Sequence, residues 1–112
     1  MVFGFGKRSA HREVTAQELA AMLREGSALV VDVREVDEFA AGHIPGAINM
    51  PLSTFQASRL PDPGGKVLVL NCLAGKRSAM ALDKCATAQA SVDTHLAGGF
   101  GAWASAGLPV ER

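Results

Sequence analysis

A short apolar stretch constrains the fold of this chain more than any other feature. Residues 28–33 are apolar at every position except Asp32, so the predicted strand has apolar side chains on both of its faces. Strands of this kind are typical of parallel sheets that are covered by helices on each side. The sequence therefore predicts a central parallel strand in an α/β domain.

Predicted helices and strands alternate on both sides of this stretch. Thr15 and Glu18 form a capping box that starts a helix, and Gly26 is placed to end it. Further strands are predicted over 47–50, 66–71 and 91–96, and further helical segments over 35–41, 52–60, 77–89 and 98–103. This alternation indicates βαβ units and a mostly parallel sheet.

Length and charge limit the classes of protein that fit. The 112 residues suffice for one domain with a buried core but not for two. We expect a single domain over 13–112, preceded by a basic, loosely ordered lead-in over 1–12. Eleven basic residues balance eleven acidic ones, so the overall charge predicts neither a nucleic-acid partner nor an anionic membrane surface.

The apolar runs and the cysteines indicate where the protein is located and which cofactors it can bind. No run approaches the roughly 18 residues expected of a membrane span, and the N-terminus lacks the apolar core of a secretory signal, so a cytoplasmic protein is expected. Two cysteines thirteen positions apart fit neither a disulfide framework nor the paired spacing of a zinc site. We expect no metal or organic cofactor, and at least one reactive cysteine.

Cys72 follows the predicted strand over 66–71 and opens the loop before the next helix. In an open α/β sheet this junction lies at the carboxyl ends of the strands, where ligands bind, and a helix N-terminus offers unpaired N–H groups to anions. Helix N-termini and cations such as Lys76 and Arg77 lower the pKa of a cysteine from about 8.5. The sequence therefore predicts a nucleophilic thiolate at Cys72.

The loop alone leaves the electrophile open among sulfane sulfur, phosphate esters, arsenate and peroxide. No histidine lies near Cys72 in the sequence, so a Cys-His protease arrangement would need His43 or His95 to be brought in by the fold. Sulfur transfer needs no such base, because the thiolate attacks sulfur directly and sulfite is a good leaving group.

Several motifs resemble, in the same order, those of single-domain rhodaneses. They are Asp-Val-Arg-Glu at 32–35, Glu-Phe at 38–39, Gly-His-Ile-Pro-Gly-Ala-Ile-Asn at 42–49, Cys-Leu-Ala-Gly-Lys-Arg-Ser at 72–78, Gly-Gly-Phe-Gly-Ala-Trp at 98–103 and Gly-Leu-Pro at 107–109. The resemblance spans roughly 13–110, which makes it far more specific than one short motif. It implies a three-layer α/β/α domain with a five-stranded sheet and a cysteine that carries a persulfide.

The resemblance also implies roles for the loop. Cys72 would accept the sulfur, while Lys76 and Arg77 would attract an anionic donor such as thiosulfate. The loop backbone would stabilise the persulfide through Leu73, Ala74, Gly75, Lys76, Arg77 and Ser78. Phosphatase relatives of the family have a loop one residue longer, so the four residues between Cys72 and Arg77 favour sulfur over phosphate. A subset that lacks the cysteine serves as binding modules, and the presence of Cys72 argues against that function.

Other residues are expected to support the site. Asp32 and Arg34 lie where a strand ends beside it, so Asp32 is expected to brace the loop and Arg34 to pair with a carboxylate. His43 is expected to make a backbone hydrogen bond rather than to transfer a proton. Cys85 lies in mid-helix on the buried face, which favours core packing over a resolving thiol.

The sequence thus predicts a sulfurtransferase that moves sulfane sulfur from thiosulfate or a similar donor, through a Cys72 persulfide, to cyanide or a thiol. One alternative is a persulfide carrier or interaction module that exchanges sulfur with a protein partner and turns over little thiosulfate. Another is an arsenate or phosphate-ester enzyme on the same scaffold, which the short loop disfavours.

Overall fold

The computed structural model describes residues 11–112, so residues 1–10 of the expected lead-in lie outside the described residues. The strands in the described part are β1 (Arg12–Val14), β2 (Ala28–Asp32), β3 (Ile48–Asn49), β4 (Val67–Asn71) and β5 (Thr94–Leu96). The helices are α1 (Ala16–Glu25), α2 (Val36–Ala41), α3 (Lys76–Thr87) and α4 (Gly99–Ser105). Two 3₁₀ turns, Leu52–Thr54 and Ala57–Arg59, follow β3.

The five strands form one parallel sheet in the order β1-β5-β4-β2-β3. β2 lies inside the sheet, paired with β4 on one side and β3 on the other, as its apolar character on both faces predicts. Because all strands run in the same direction, their carboxyl ends meet at one edge of the sheet. That edge carries the loop that follows β4.

Helices cover both faces of the sheet. One apolar cluster joins the sheet to α1 and α4 and includes Leu19, Val30, Val69, Leu96 and Trp103. A second joins the other face to α3 and includes Val31, Leu70, Ala81, Leu82 and Cys85. Val30 and Val31 lie in different clusters because neighbouring side chains on a strand point to opposite faces. The predicted three-layer α/β/α domain with a five-stranded parallel sheet is confirmed.

Local sequence signals fix the ends of α1. The Glu18 N–H donates to the Thr15 hydroxyl oxygen at 3.0 Å, and the Thr15 N–H donates to the Glu18 carboxylate at 2.8 Å. These bonds satisfy N–H groups that the first turn of a helix leaves without partners. The helix ends at Gly26, as predicted.

The structure differs from the sequence prediction at the start of the chain and at two segment boundaries. No element is predicted before Thr15, but β1 begins at Arg12, the last residue of the expected lead-in, and pairs with β5. The predicted strand over 91–96 starts only at Thr94, and the helix predicted over 77–89 spans Lys76–Thr87. The two 3₁₀ turns agree with the one or two helical turns predicted over 52–60. No helix within residues 11–112 has the length and apolar character to cross a membrane.

Candidate active site

Cys72 lies at the carboxyl edge of the sheet, directly after the last residue of β4. It belongs to the apolar cluster between the sheet and α3, and only 1% of its surface is exposed. The loop over 72–75 leads into α3, which begins at Lys76. The predicted order of strand, cysteine loop and helix is therefore present.

The loop curls so that its backbone contacts the sulfur. The Gly75 N–H donates to Cys72 Sγ at 3.0 Å. Gly75 has a φ of +112°, a conformation that residues with a side chain rarely adopt. Glycine at this position therefore lets the chain turn back over the sulfur just before α3 begins.

The first turn of α4 holds the other side of the loop. The Phe100 N–H donates to the Cys72 carbonyl oxygen at 2.7 Å, and the Gly101 N–H donates to the Leu73 carbonyl oxygen at 3.0 Å. In a trans peptide the carbonyl group and the next N–H point in opposite directions. Fixing the Leu73 carbonyl toward α4 therefore turns the Ala74 N–H away from α4, and this N–H is one of the groups that lower the pKa of Cys72.

The two cysteines have opposite pKa shifts. Burial raises the pKa of the Cys72 thiol, but the Ser78 N–H and hydroxyl, followed by the N–H groups of Gly75 and Ala74, outweigh burial and lower the pKa below its usual value. Burial alone raises the pKa of Cys85, which is fully buried on the side of α3 that packs against the sheet. The loop thus favours a thiolate at Cys72, whereas Cys85 packs in the core as predicted.

The two cations of the loop have different surroundings. The Arg77 guanidinium donates two hydrogen bonds to the Glu38 carboxylate, at 2.7 and 3.0 Å, and so links α3 to α2. Lys76 is exposed, and within residues 11–112 no carboxylate oxygen lies within 4.0 Å of its ammonium group. Lys76 is therefore the loop cation that remains available to an anion.

The pairing with Arg77 makes Glu38 strongly acidic. The hydrogen bond from Arg77 lowers the pKa of Glu38 to about 2 from 4.5, and the same bond raises the pKa of Arg77. Because the folded-state pKa is depressed, the stabilisation by this pair is present above about pH 4.5 and is lost as the pH falls toward 2.

Glu38→Gln is expected to lower the free energy of unfolding at pH 7 by about 1 kcal/mol, because a two-bond ion pair is lost from a partly exposed position. Urea unfolding from pH 7 to pH 2 measures this. The difference from the wild type should shrink below pH 4.5, because Glu38 of the unfolded chain then takes up a proton, whereas Glu38 of the folded protein stays charged until the pH approaches 2. Asp37→Asn, an exposed neighbour on the same helix, is the control and should change stability by less than about 0.5 kcal/mol. A Glu38→Gln effect that is constant down to pH 2 would argue against the ion pair as its source.

Asp32 and Arg34 form a buried ion pair that contacts the end of α2 and α4, and neither side chain hydrogen-bonds to residues 72–78 of the loop. The Arg34 Nε and Nη2 donate to both carboxylate oxygens of Asp32 at 2.8–3.1 Å, and Nη2 also donates to the Gly42 carbonyl oxygen at 2.8 Å. The guanidinium lies 4.4 Å from the centre of the Phe100 ring in α4. Arg34 is only 4% exposed, so its guanidinium contacts protein groups rather than solvent. Through these contacts it links β2, the end of α2 and α4.

His43 joins α2 to the C-terminal segment. Its Nδ1 lies 2.8 Å from the Phe39 carbonyl oxygen, and its ring stacks on that of Phe39 with 3.8 Å between centroids. Its backbone exchanges two hydrogen bonds of 2.8 Å with Glu111. These contacts position the loop around Gly42, which in turn accepts from Arg34.

His95 and Glu13 lie next to the site, although the sequence predicts no role in sulfur transfer for either of them. The Ser78 hydroxyl lies 3.6 Å from Cys72 Sγ and 2.8 Å from His95 Nδ1. His95 Nε2 lies 3.6 Å from a carboxylate oxygen of Glu13, which is opposite His95 in the β1–β5 pairing. The only local signal is a histidine in the middle of the short strand β5. Within residues 11–112, no cluster of three histidine, cysteine or acidic residues could hold a metal ion.

Comparisons with known proteins extend over most of the chain. A family model for the rhodanese-like domain matches residues 15–106. A thiosulfate:glutathione sulfurtransferase of Homo sapiens is 30% identical over 104 residues, covering 80% of this chain and 90% of that protein. The solved structure of a rhodanese-related protein from Thermoplasma volcanium has a TM-score of 0.75 and 29% identity, covering 90% of this chain and 98% of that one.

Some relatives are longer than this chain. An uncharacterized protein of Synechocystis is 38% identical over 99 residues, which cover 88% of this chain but 55% of that protein. The matched region therefore makes up only about half of the longer relative.

Proposed function

Because this chain belongs to the family of rhodanese-like domains, we propose that it is a sulfurtransferase that carries sulfur as a persulfide on Cys72. The observation that carries the proposal is the hydrogen bonding around the sulfur. Gly75 donates to Sγ at 3.0 Å, and the N–H groups and hydroxyl around the loop lower the pKa of the thiol despite its burial. A thiolate held in this way is a nucleophile at neutral pH.

In the first half-reaction, the Cys72 thiolate attacks the sulfane sulfur of thiosulfate or a related donor. A bond forms between Sγ and that sulfur, and the bond to the sulfonate breaks, so sulfite leaves with the electron pair. The new terminal sulfur carries negative charge. We expect the N–H groups of Ala74 and Gly75, which lower the pKa of the Cys72 thiol, to donate hydrogen bonds to this charged sulfur.

In the second half-reaction, cyanide or a thiolate attacks the terminal sulfur. The bond between the two sulfurs breaks, and Cys72 leaves as a thiolate, which the same loop stabilises. The free enzyme returns without an external oxidant or reductant. The two half-reactions share one intermediate, so ping-pong kinetics are expected.

The Glu38–Arg77 pair favours sulfur transfer over phosphate chemistry. An enzyme that binds a phosphate ester uses an arginine fork to hold two phosphate oxygens. Here Glu38 accepts both hydrogen bonds of that fork, and only four residues separate Cys72 from Arg77. An incoming phosphate would have to compete with the carboxylate.

Sulfur loading and sulfur release are tested separately. The protein is incubated with thiosulfate, its intact mass is measured, and thiocyanate is assayed after cyanide is added. A gain of one sulfur followed by repeated thiocyanate release supports the enzyme. Loading with negligible turnover supports the persulfide carrier, whereas no loading, together with hydrolysis of an aryl phosphate, supports the phosphate-ester alternative. No loading from thiosulfate or from a persulfide donor overturns the persulfide on Cys72.

Lys76→Gln is expected to raise the KM for thiosulfate about threefold with little change in kcat, because an exposed cation attracts the dianion before chemistry begins. Lys84→Gln is the matched control, since Lys84 is an exposed lysine near the other end of α3. Steady-state kinetics at low and high salt measure both. The Lys76 effect should shrink as salt screens the charge. Equal effects for the two variants would remove the specific role of Lys76.

A further inference from the structure

We propose that Cys72, Ser78, His95 and Glu13 form a proton relay from the buried thiol to the protein surface, in which His95 is a positioning residue that receives the thiol proton through Ser78. The proposal rests on the proposed function in taking the Cys72 thiolate as the reactive species. The relay answers a need created by burial. Because only 1% of the surface of Cys72 is exposed, its thiol has little contact with bulk water in the resting protein.

The contacts form an unbroken series. Cys72 Sγ lies 3.6 Å from Ser78 Oγ, and Ser78 Oγ lies 2.8 Å from His95 Nδ1. His95 Nε2 lies 3.6 Å from Glu13 Oε2, whose side chain is 61% exposed. Ser78 and His95 are themselves buried, at 0% and 5% exposure. The series therefore runs through the protein interior and ends in solvent.

The Ser78 hydroxyl has a single proton and several candidate acceptors. Its oxygen lies 3.1 Å from the Gly75 carbonyl oxygen as well as near the sulfur and the imidazole. When His95 Nδ1 is unprotonated, the shortest contact draws the serine proton toward the ring. When Nδ1 carries a proton, the ring donates to Ser78 Oγ, and the serine proton is released to a thiolate. The state of His95 therefore decides whether Ser78 stabilises the thiolate.

Ionisation of Cys72 then moves two protons in one direction. The thiol proton passes from Sγ to Ser78 Oγ, and the serine proton passes from Oγ to His95 Nδ1. The result is a thiolate, an intact serine and an imidazolium whose Nε2–H faces the Glu13 carboxylate. No atom is lost and no oxidant is needed. A neutral thiol and imidazole have become an ion pair bridged by Ser78.

The groups around His95 determine how readily its ring accepts the proton, because they shift its pKa. Burial lowers the pKa of His95, the Glu13 carboxylate raises it and His11 lowers it, with a net lowering. The His11 ring packs edge-on against His95 at 5.9 Å, and its Nε2 lies 3.0 Å from Asp83 on α3. A resting His95 that is neutral can accept a proton, and Glu13 is the group that stabilises it after it does.

The test measures thiolate formation directly. All proteins carry Cys85→Ala, so that ultraviolet thiolate absorbance against pH reports Cys72 alone. His95→Asn keeps an amide near the position of Nδ1 but cannot be protonated. We expect it to raise the midpoint of thiolate formation by about one pH unit, which is about a tenfold decrease in the ionisation constant of the thiol. Glu13→Gln should raise the midpoint less, since it removes only the partner of the imidazolium.

A double variant separates the relay from a general loss of structure. If His95 acts through Ser78, then His95→Asn added to Ser78→Ala should cause no further shift. Additive shifts would overturn the relay, as would an unchanged midpoint in His95→Asn with a normal Tm. The absorbance titration needs no sulfur donor, so it stays informative even if the protein fails to load sulfur from thiosulfate.

Reciprocity gives a second measurement. If the thiolate and the imidazolium stabilise each other, the His95 ring should titrate at lower pH in Cys72→Ala than in the wild type, by the same amount as the thiolate shift. Nuclear magnetic resonance of the ring protons reports this. An unchanged His95 titration in Cys72→Ala would contradict coupling between the two groups.

Discussion

Cys72→Ser is expected to abolish sulfur loading from thiosulfate and to reduce thiocyanate formation by at least about a thousandfold. A hydroxyl remains largely protonated at neutral pH and forms no persulfide, so both half-reactions lose their intermediate. The side chains are similar in size, and the site is already lined by the Ser78 hydroxyl and by N–H groups. The variant is therefore expected to fold, and its intact mass should remain unchanged after incubation with thiosulfate.

Cys85→Ala is the matched control for the nucleophile. Cys85 is fully buried in the same apolar cluster, and burial raises the pKa of its thiol. Its replacement should reduce stability by about 1 kcal/mol through lost packing and leave sulfur loading in place. Thiocyanate formation by Cys72→Ser at the wild-type rate would show that Cys72 is not the sulfur carrier.

Gly99→Ala is expected to lower the free energy of unfolding by about 3 kcal/mol or more and to reduce thiolate formation at Cys72. Gly99 has a φ of +58°, and a Cβ there would lie 2.5 Å from the Leu73 carbonyl oxygen. That oxygen belongs to the backbone of the loop over 72–75 and cannot rotate away as a side chain could. The added methyl group would therefore push α4 away from the loop. The bonds from Phe100 and Gly101 that hold the loop carbonyls would then be weakened.

Gly107→Ala separates steric contact from conformational strain. Gly107 has a φ of +73°, but a Cβ there would have no atom within 4 Å. We expect a cost of about 1 kcal/mol from the left-handed conformation alone and no effect on Cys72. Denaturant unfolding and a thiolate titration of both variants measure the two effects. Equal losses of stability would show that contact with the loop backbone contributes little.

Most of the fold follows from local patterns. The two-sided apolar run of β2 predicts a covered parallel strand, and the Thr15 capping box predicts the start of α1. β1 could not be found in this way, because Arg12, Glu13 and Val14 contain only one apolar residue. β1 forms because it pairs with β5, and no pattern within residues 12–14 predicts that pairing.

The position of Cys72 in the fold is predictable from the sequence, but its contacts are not. The order of strand, cysteine, glycine and helix is local and predicts that Cys72 follows a strand at the edge of the sheet, where the structure has it. The sequence predicts that Lys76 and Arg77 favour the thiolate, whereas the groups that lower the pKa of Cys72 are backbone amides and the Ser78 hydroxyl. Arg77 is paired with Glu38, 39 positions away. Contacts between residues so far apart in the sequence form only when the sheet brings them together. The residues around Glu38 and Arg77 therefore do not reveal the pair.

The pairing of β1 with β5 also affects the order in which the protein can be assembled. These strands come from opposite ends of the described chain, and such distant pairing forms late because a long loop must first be closed. On the ribosome, β2 can pair with β4 before β5 is made, but β1 must wait for β5. Both the contact of Glu13 with His95 and the hydrogen bonds from α4 to the Cys72 loop therefore form only after the C-terminal part of the domain has been made, so the site stays incomplete until β5 and α4 have emerged.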